Sequence, residues 1–146
     1  MKTLSNDIFF AQVESEIAAG RSVRFKVKGH SMYPLLRNGK DEVVLSPLEH
    51  DPKLLDIVLF KYKGKHVLHR IIDIDSGIYT IQGDGIYSSF EQCTRDDIIG
   101  KVSFICKNGG KTRYIESFVC RQYSIWWFYF RFCRRWLLAL IRRVYK

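Results

Sequence analysis

Asp56-Ile57-Val58-Leu59-Phe60-Lys61-Tyr62-Lys63-Gly64-Lys65-His66-Val67-Leu68-His69-Arg70-Ile71-Ile72 contains two strands and the turn between them. The run from Asp56 to Tyr62 reads as a strand, Lys63-Gly64 as a tight turn, and Lys65 to Ile72 as the antiparallel return. Successive side chains on a strand point to opposite faces, so the return strand sorts its two histidines by parity. His69 falls with Val67 and Ile71 on an apolar face, and His66 falls with Leu68, Arg70 and Ile72 on the other. An inward-facing histidine is a candidate base. Lys61, Lys63 and Lys65 also offer amines, but their alternation around a glycine turn suits a solvated edge that discourages strand pairing.

Upstream, Arg21 to Lys28 alternates Val23, Phe25 and Val27 with Arg24, Lys26 and Lys28, the period of a half-buried strand. That strand runs into Gly29-His30-Ser31-Met32-Tyr33-Pro34. Gly29 accepts unusual backbone angles and Pro34 fixes one, so the Ser31 hydroxyl between them is held in a set direction. His30 is its neighbour, but adjacent residues on extended chain point apart, which leaves His69 as the better partner. Each feature alone has a plainer reading. A serine in such a turn commonly bonds backbone, a lone histidine on an apolar face is commonly a satisfied core residue, and Gly83-Asp84-Gly85 is commonly a hairpin turn.

The order of the segments changes that balance. Ser31-Met32-x-Pro34, Asp56-Ile57-Val58-Leu59-Phe60, Leu68-His69-Arg70-Ile71, Gln82-Gly83-Asp84-Gly85 and Ile98-Ile99-Gly100-Lys101-Val102 resemble, in sequence, the successive boxes of the signal peptidase superfamily. The resemblance spans roughly residues 22 to 105. It implies a mainly β fold, a coiled β half-barrel of the signal-peptidase type shared with self-cleaving repressors, carrying a serine endopeptidase site. The position of His69 is usually lysine in bacterial signal peptidases, and histidine there resembles the archaeal and endoplasmic-reticulum branch. Unperturbed histidine already titrates near pH 6.5, whereas lysine needs its pKa lowered before it can act as a base near neutrality.

The resemblance implies attack by Ser31 on a peptide carbonyl, with His69 taking the proton and returning it to the leaving amine. Asp84 is the matching position for the group that orients His69, while Asp96, Asp97, Asp73 and Asp75 are alternatives. The Ser31 amide would supply the oxyanion hole, and Gly29 in the same turn would permit close approach. Val23, Phe25, Val27 and Met32 would contact an extended substrate, with small residues favoured beside the scissile bond. The sequence departs from the pattern at Leu55-Asp56, where the family has Gly-Asp, and at Gly85, where asparagine often stands. No metal ligand set or organic cofactor is expected, because Cys93, Cys106, Cys120 and Cys133 lack zinc-binding spacing. Reduced structural thiols are the default.

The whole chain of 146 residues is enough for one domain with a modest core, and its 47% hydrophobic content is ordinary. Residues 1–20 are expected to be a helix packed on the domain, spanning Asp7 to Ala19 with Ile8, Phe9, Val13 and Ile17 as its apolar positions. Residues 21–117 form the expected catalytic unit and 118–146 a C-terminal helix. The run Ile8-Phe9-Phe10-Ala11 is too short for a secretory signal or a span, so a cytoplasmic or peripheral membrane location is expected.

Charge concentrates at the other end. Of a formal net +9, Arg121 to Lys146 carries seven basic and no acidic residues, leaving the rest nearly balanced. Drawn as one helix, this segment gathers Arg131, Arg134, Arg135, Arg142 and Lys146 on one side, with Trp126, Phe130, Cys133, Trp136, Leu137, Leu140, Ile141 and Val144 opposite. Arginines at a bilayer centre cost about 2.5 to 3.5 kcal/mol each on insertion scales, which disfavours a span. A helix lying in an anionic interface is the expectation, through Trp126, Phe130, Arg131, Arg134, Arg135 and Trp136. Packing of Trp126, Trp127 and Phe128 on the domain, or docking of a partner protein, are the plainer alternatives; nucleic acid suits this face less well. Two functions follow: an endopeptidase acting on a leader or signal-like peptide, or a noncatalytic peptide-binding or dimerisation module with the same fold and tail.

Overall fold

The computed structural model describes residues 2–108 and 110–145. Helix α1 (Lys2–Ala18) precedes strands β1 (Val23–Lys26), β2 (Glu42–Ser46), β3 (Ile57–Tyr62), β4 (Lys65–Asp75), β5 (Ile78–Gln82), β6 (Glu91–Cys93), β7 (Ile98–Cys106) and β8 (Thr112–Tyr114). Helix α2 (Phe118–Tyr129), a 3₁₀ turn (Phe130–Cys133) and helix α3 (Arg134–Val144) follow. The strands form one antiparallel sheet in the order β1-β2-β7-β3-β4-β5-β6, with β8 added to β7. The sheet does not close on itself, so β1 and β6 lie at its two ends.

The β3–β4 hairpin forms as its alternation predicts. Ile57 pairs with Arg70, Val58 with His69 and Phe60 with Val67. Lys63 and Gly64 both take positive φ, at 49° and 76°, the backbone that two-residue hairpin turns demand. The return strand runs to Asp75, past the expected Ile72, because Ile78–Gln82 folds back and pairs with its far half.

Parity divides the core in two. Val13 and Ile17 of α1 join Phe25, Val27, Met32, Leu36, Val43, Leu45, Ile57, Leu59, Val102 and Ile105 on one side of the sheet. Val58, Phe60, Ile71, Tyr79, Ile81, Cys93 and Ile98 form the second cluster. The N-terminal helix is anchored less by its apolar stripe than expected, since Ile8 is exposed. Polar contacts compensate: His66 stacks on Phe10 with ring centroids 4.6 Å apart, and its Nε2 meets the Glu14 carboxylate at 2.5 Å.

The C-terminal segment departs from the single helix expected over 118–146. The 3₁₀ turn at Phe130–Cys133 interrupts it and changes the direction in which later side chains project. Arg134 is consequently carried inward, only 2% exposed, rather than onto the outer basic face. Lys146, assigned to that face above, lies outside the described residues.

Candidate functional site

The turn after β1 is built tightly. Gly29 adopts φ 87°, a conformation that side-chain-bearing residues rarely take, and its N–H donates to Asn38 Oδ1 at 2.8 Å. That bond fixes the turn and commits the Gly29 amide, leaving Gly29 the role of permitting close approach beside the Ser31 amide. The Tyr33-Pro34 bond is cis, and Met32 and Leu36 plug into the core below. Ser31 is left half-buried at the rim of a cavity of about 850 Å³.

Phe25, Val27 and Met32 line that cavity with Ser31, as the sequence reading anticipates, together with Leu59, Leu68, His69 and Glu91. Val23 does not line it; at the start of β1 it packs against the core cluster that contains Phe25 and Val27. Phe9 and Phe10 of α1 close another side. Strand β1 is the sheet's last strand on this side, paired only with β2, so its outer edge borders the cavity without a strand beyond it.

His69 is 4% exposed and stands on the second core face beside Phe60. Its Nδ1 lies 3.1 Å from Glu91 Oε2. The register explains this meeting, because Ile71 pairs with Ile81 and Ile81 with Glu91, so all three share the face to which His69 belongs. An Nδ1–H donated to a carboxylate leaves Nε2 as the ring's basic atom. Nε2 faces Gly83: a side-chain carbon at that glycine would lie 3.0 Å from Nε2 and 2.3 Å from the Ser31 carbonyl oxygen. Gly83 is therefore the narrow spacer that lets the serine turn and the imidazole approach from opposite sides. Gly85 repeats the device, its N–H donating to the Ser31 carbonyl at 2.8 Å while a side chain there would meet the His30 carbonyl at 2.5 Å.

Ser31 and His69 thus share one cavity, although no hydrogen bond joins the Ser31 hydroxyl to the ring among the described residues. Burial lowers the His69 pKa, and the adjacent Glu91 carboxylate, with Asp84 farther off, only partly opposes it. The ring is accordingly neutral near pH 7, the state in which it can accept a proton.

Asp84 does not hold His69. Its carboxylate takes two hydrogen bonds from Arg70, at 2.8 Å from Nε and 2.9 Å from Nη2, and both residues are buried. The reason is parity: Arg70 follows His69 on β4 and projects to the opposite face, and Asp84 sits on that face. Tyr123 Oη also donates to Asp84 at 3.3 Å, and Arg70 Nη1 donates to Ser124 Oγ at 2.6 Å. Burial opposes the Arg70 charge, but Asp84 more than offsets it and raises the guanidinium pKa. The other carboxylates considered are spent elsewhere or remote. Asp97 accepts the Thr94 N–H, Asp96 is exposed, and Asp73 and Asp75 are exposed at the far half of β4.

Of the remaining amines, Lys61 pairs with Glu14 at 3.0 Å, and Lys63 and Lys65 are exposed, as the solvated-edge reading expects. His30 is exposed on the turn. Sequence reasoning missed Glu91 and the Arg70 clamp. The β3–β4 parity places Arg70 opposite to His69, but the loop from Gly83 to Phe90 hides the register that returns Glu91 to the His69 face.

Trp126, Phe130, Arg131, Arg135 and Trp136 are exposed, as expected of a surface-binding face, whereas Arg134 is buried against the loop after β5. Trp127 is buried too, so the alternative of packing on the domain holds for that indole and not for Trp126. Among the described residues no helix is long and apolar enough to cross a membrane. The four cysteines are free thiols, and burial pushes Cys93 up to about 11. No protein-family model matches the chain, and no curated protein matches it.

Proposed function

We propose that the protein is a serine endopeptidase that cleaves an extended, leader-type peptide, with Ser31 as nucleophile and His69 as general base. The observation that carries the proposal is the convergence on one cavity of Ser31 and a buried, neutral histidine whose Nδ1 is held by a carboxylate and whose Nε2 faces the serine turn across Gly83. The open antiparallel sheet supports the half-barrel architecture of the signal-peptidase-like fold, and three of the five segments that resemble the superfamily's boxes contribute Ser31, Met32, Leu59, Leu68 and His69 to the cavity lining.

In the proposed reaction a substrate strand lies along the outer edge of β1, and its carbonyl meets Ser31. Closure of the Ser31 Oγ–His69 Nε2 distance to about 2.6 to 3.2 Å accompanies binding, since catalytic hydrogen bonds commonly tighten only in the substrate complex. His69 takes the hydroxyl proton as the Oγ–carbonyl bond forms, then gives it to the leaving amine, and water repeats the sequence on the acyl-enzyme. The Ser31 N–H, which donates to no acceptor among the described residues, is the donor for the oxyanion.

The free edge of β1 also suits the second reading, a module that binds a strand without cutting it. Incubation of a mixed-sequence peptide library with wild type, Ser31→Ala and His69→Ala, read by mass spectrometry, separates the two. New termini from wild type alone, with at least a thousandfold loss in each variant, are the expected result. Cleavage at equal rates in all three proteins eliminates the dyad, and binding without any cleavage selects the module.

A further inference from the structure

We infer that α2, the 3₁₀ turn and α3 form an in-plane dock for an anionic lipid bilayer, and that the inner side of the same segment braces the loop behind Ser31 and His69. The segment is two-sided. Cys120, Ser124, Trp127, Arg134 and Leu138 are buried against the body. On α2, Phe118, Val119, Trp126 and Tyr129, followed by Phe130, recur at the spacings of a single helix face and are all exposed. On α3, Trp136, Leu140 and Val144 follow at intervals of four and are exposed as well. Scattered exposed leucines are ordinary, but contiguous apolar rows on two consecutive elements, mostly aromatic on α2, mark an interaction surface.

Charge selects the occupant. From Arg121 onward the chain holds seven basic and no acidic residues. Arg134 is turned inward, but Arg121, Arg131, Arg135, Arg142 and Arg143 are exposed, so the surface complements phosphate-rich headgroups. Arg131 lies between the Phe128 and Phe132 rings, 5.1 and 5.0 Å from their centroids, and Arg135 lies 5.9 Å from that of Trp136. Such stacking keeps each guanidinium at the level of its aromatic neighbour, as at a headgroup boundary where indoles sink and cations stay wet. Trp126 and Phe130 stack on each other at 5.8 Å, which leaves less ring face for bases, so the arrangement favours lipid over single-stranded nucleic acid.

The inner side reaches the site loop. Arg134 Nη1 donates to Gln82 Oε1 at 2.8 Å and to the Ile86 carbonyl at 3.2 Å. Trp127 Nε1 donates to the Asp84 carbonyl at 3.0 Å. The loop that carries Gly83 and Gly85 is thus held between the serine turn on one side and the dock on the other. A bilayer that immobilises the dock sets the mouth of the cavity relative to the membrane surface; this last consequence rests on the peptidase reading, the dock itself does not.

The test uses full-length Ser31→Ala protein, whose lipid binding is independent of peptidase activity, in sedimentation with vesicles of phosphatidylcholine alone or with one quarter phosphatidylglycerol. At least tenfold stronger partition to the anionic vesicles is expected, weakening at 0.5 M salt. Two surface variants, Trp126→Ser with Phe130→Ser and Trp136→Ser, and Arg131→Gln with Arg135→Gln and Arg142→Gln, are expected to lose that gain while keeping the parent's thermal transition. A variant that shifts the transition is replaced by the corresponding single substitutions, judged by the same criterion. Equal binding to both vesicle types, or undiminished binding by folded variants, overturns the dock. Binding to a single-stranded oligonucleotide that is tighter than to anionic vesicles, and lost in the same variants, overturns it in favour of nucleic acid.

Discussion

His69 donates its Nδ1–H to the carboxylate of Glu91, which lies two strands away, and the identity of that carboxylate has a measurable signature. Burial lowers the ring's pKa and Glu91 opposes the shift, so the acid limb of kcat/KM is expected below the ordinary histidine value of about 6.5. Glu91→Gln removes an influence that raises the pKa. Its acid limb should therefore move to lower pH, while kcat falls by about a hundredfold because the tautomer is less firmly held. Asp84→Asn is the contrasting control. It leaves the buried Arg70 cation with a weakened partner, so its main effect is lost stability, on the order of 3 to 5 kcal/mol, with little movement of the acid limb. Measuring pH profiles and denaturant midpoints of both variants checks the assignment, and the reverse pattern would return Asp84 to the role implied by resemblance. The face taken by His69 was legible in the sequence because short-range alternation fixes it, and the turn that holds Ser31 was legible from Gly29 and Pro34. Glu91 was not, because an unpaired loop erases the parity count between β5 and β6.

The loop after β5 acts through what its glycines lack. A methyl group at Gly83 would lie 2.3 Å from the Ser31 carbonyl oxygen, a backbone atom that cannot swing aside as a side chain can. Gly83→Ala is expected to push the serine turn away from His69 and lower kcat/KM about a hundredfold, the usual cost of a displacement near 1 Å at reacting groups. Hydrogen exchange at Gly85, whose N–H reaches the Ser31 carbonyl, should quicken in parallel. Full activity with unchanged exchange would show that the turn has room to yield. At this scale the β3–β4 hairpin was readable from its turn residues and apolar run. The break at Phe130–Cys133 was not, since neither glycine nor proline marks it and the apolar and basic spacing continues through it. Arg134 shows the result: helical periodicity alone assigns it to the outer face, and the 3₁₀ turn sends it inward. Asp41 is similarly hidden from pattern reading, a fully buried carboxylate that Arg37, Lys107 and the Asn108 amide hold well below the usual carboxylate range.

Across the whole molecule, the two faces of one sheet divide the work. His69 and Glu91 occupy one, while Arg70, Asp84 and the C-terminal helices occupy the other. Arg134 links the segments, and burial lowers its pKa below the ordinary guanidinium value without a carboxylate in direct contact. Arg134→Met keeps most of the side chain's bulk and removes the donors to Gln82 and Ile86. Faster hydrogen exchange over Gly83–Ile86 and a fall in kcat are expected, with anionic-vesicle binding preserved because the outer aromatic rows are untouched. Loss of vesicle binding in a folded Arg134→Met protein would instead place that arginine at the lipid surface.

The long reach of these braces gives the protein an order of assembly. Trp127 bonds the Asp84 carbonyl across 43 positions of chain, and Arg134 bonds Gln82 across 52. Synthesis proceeds from the N-terminus, so the turn bearing Ser31 and the strand bearing His69 emerge well before the residues that steady the loop after β5. A growing chain carries Ser31 and His69 with that loop still unbraced, and under the proposed reaction the geometry for cleavage matures only after the C-terminal helices arrive.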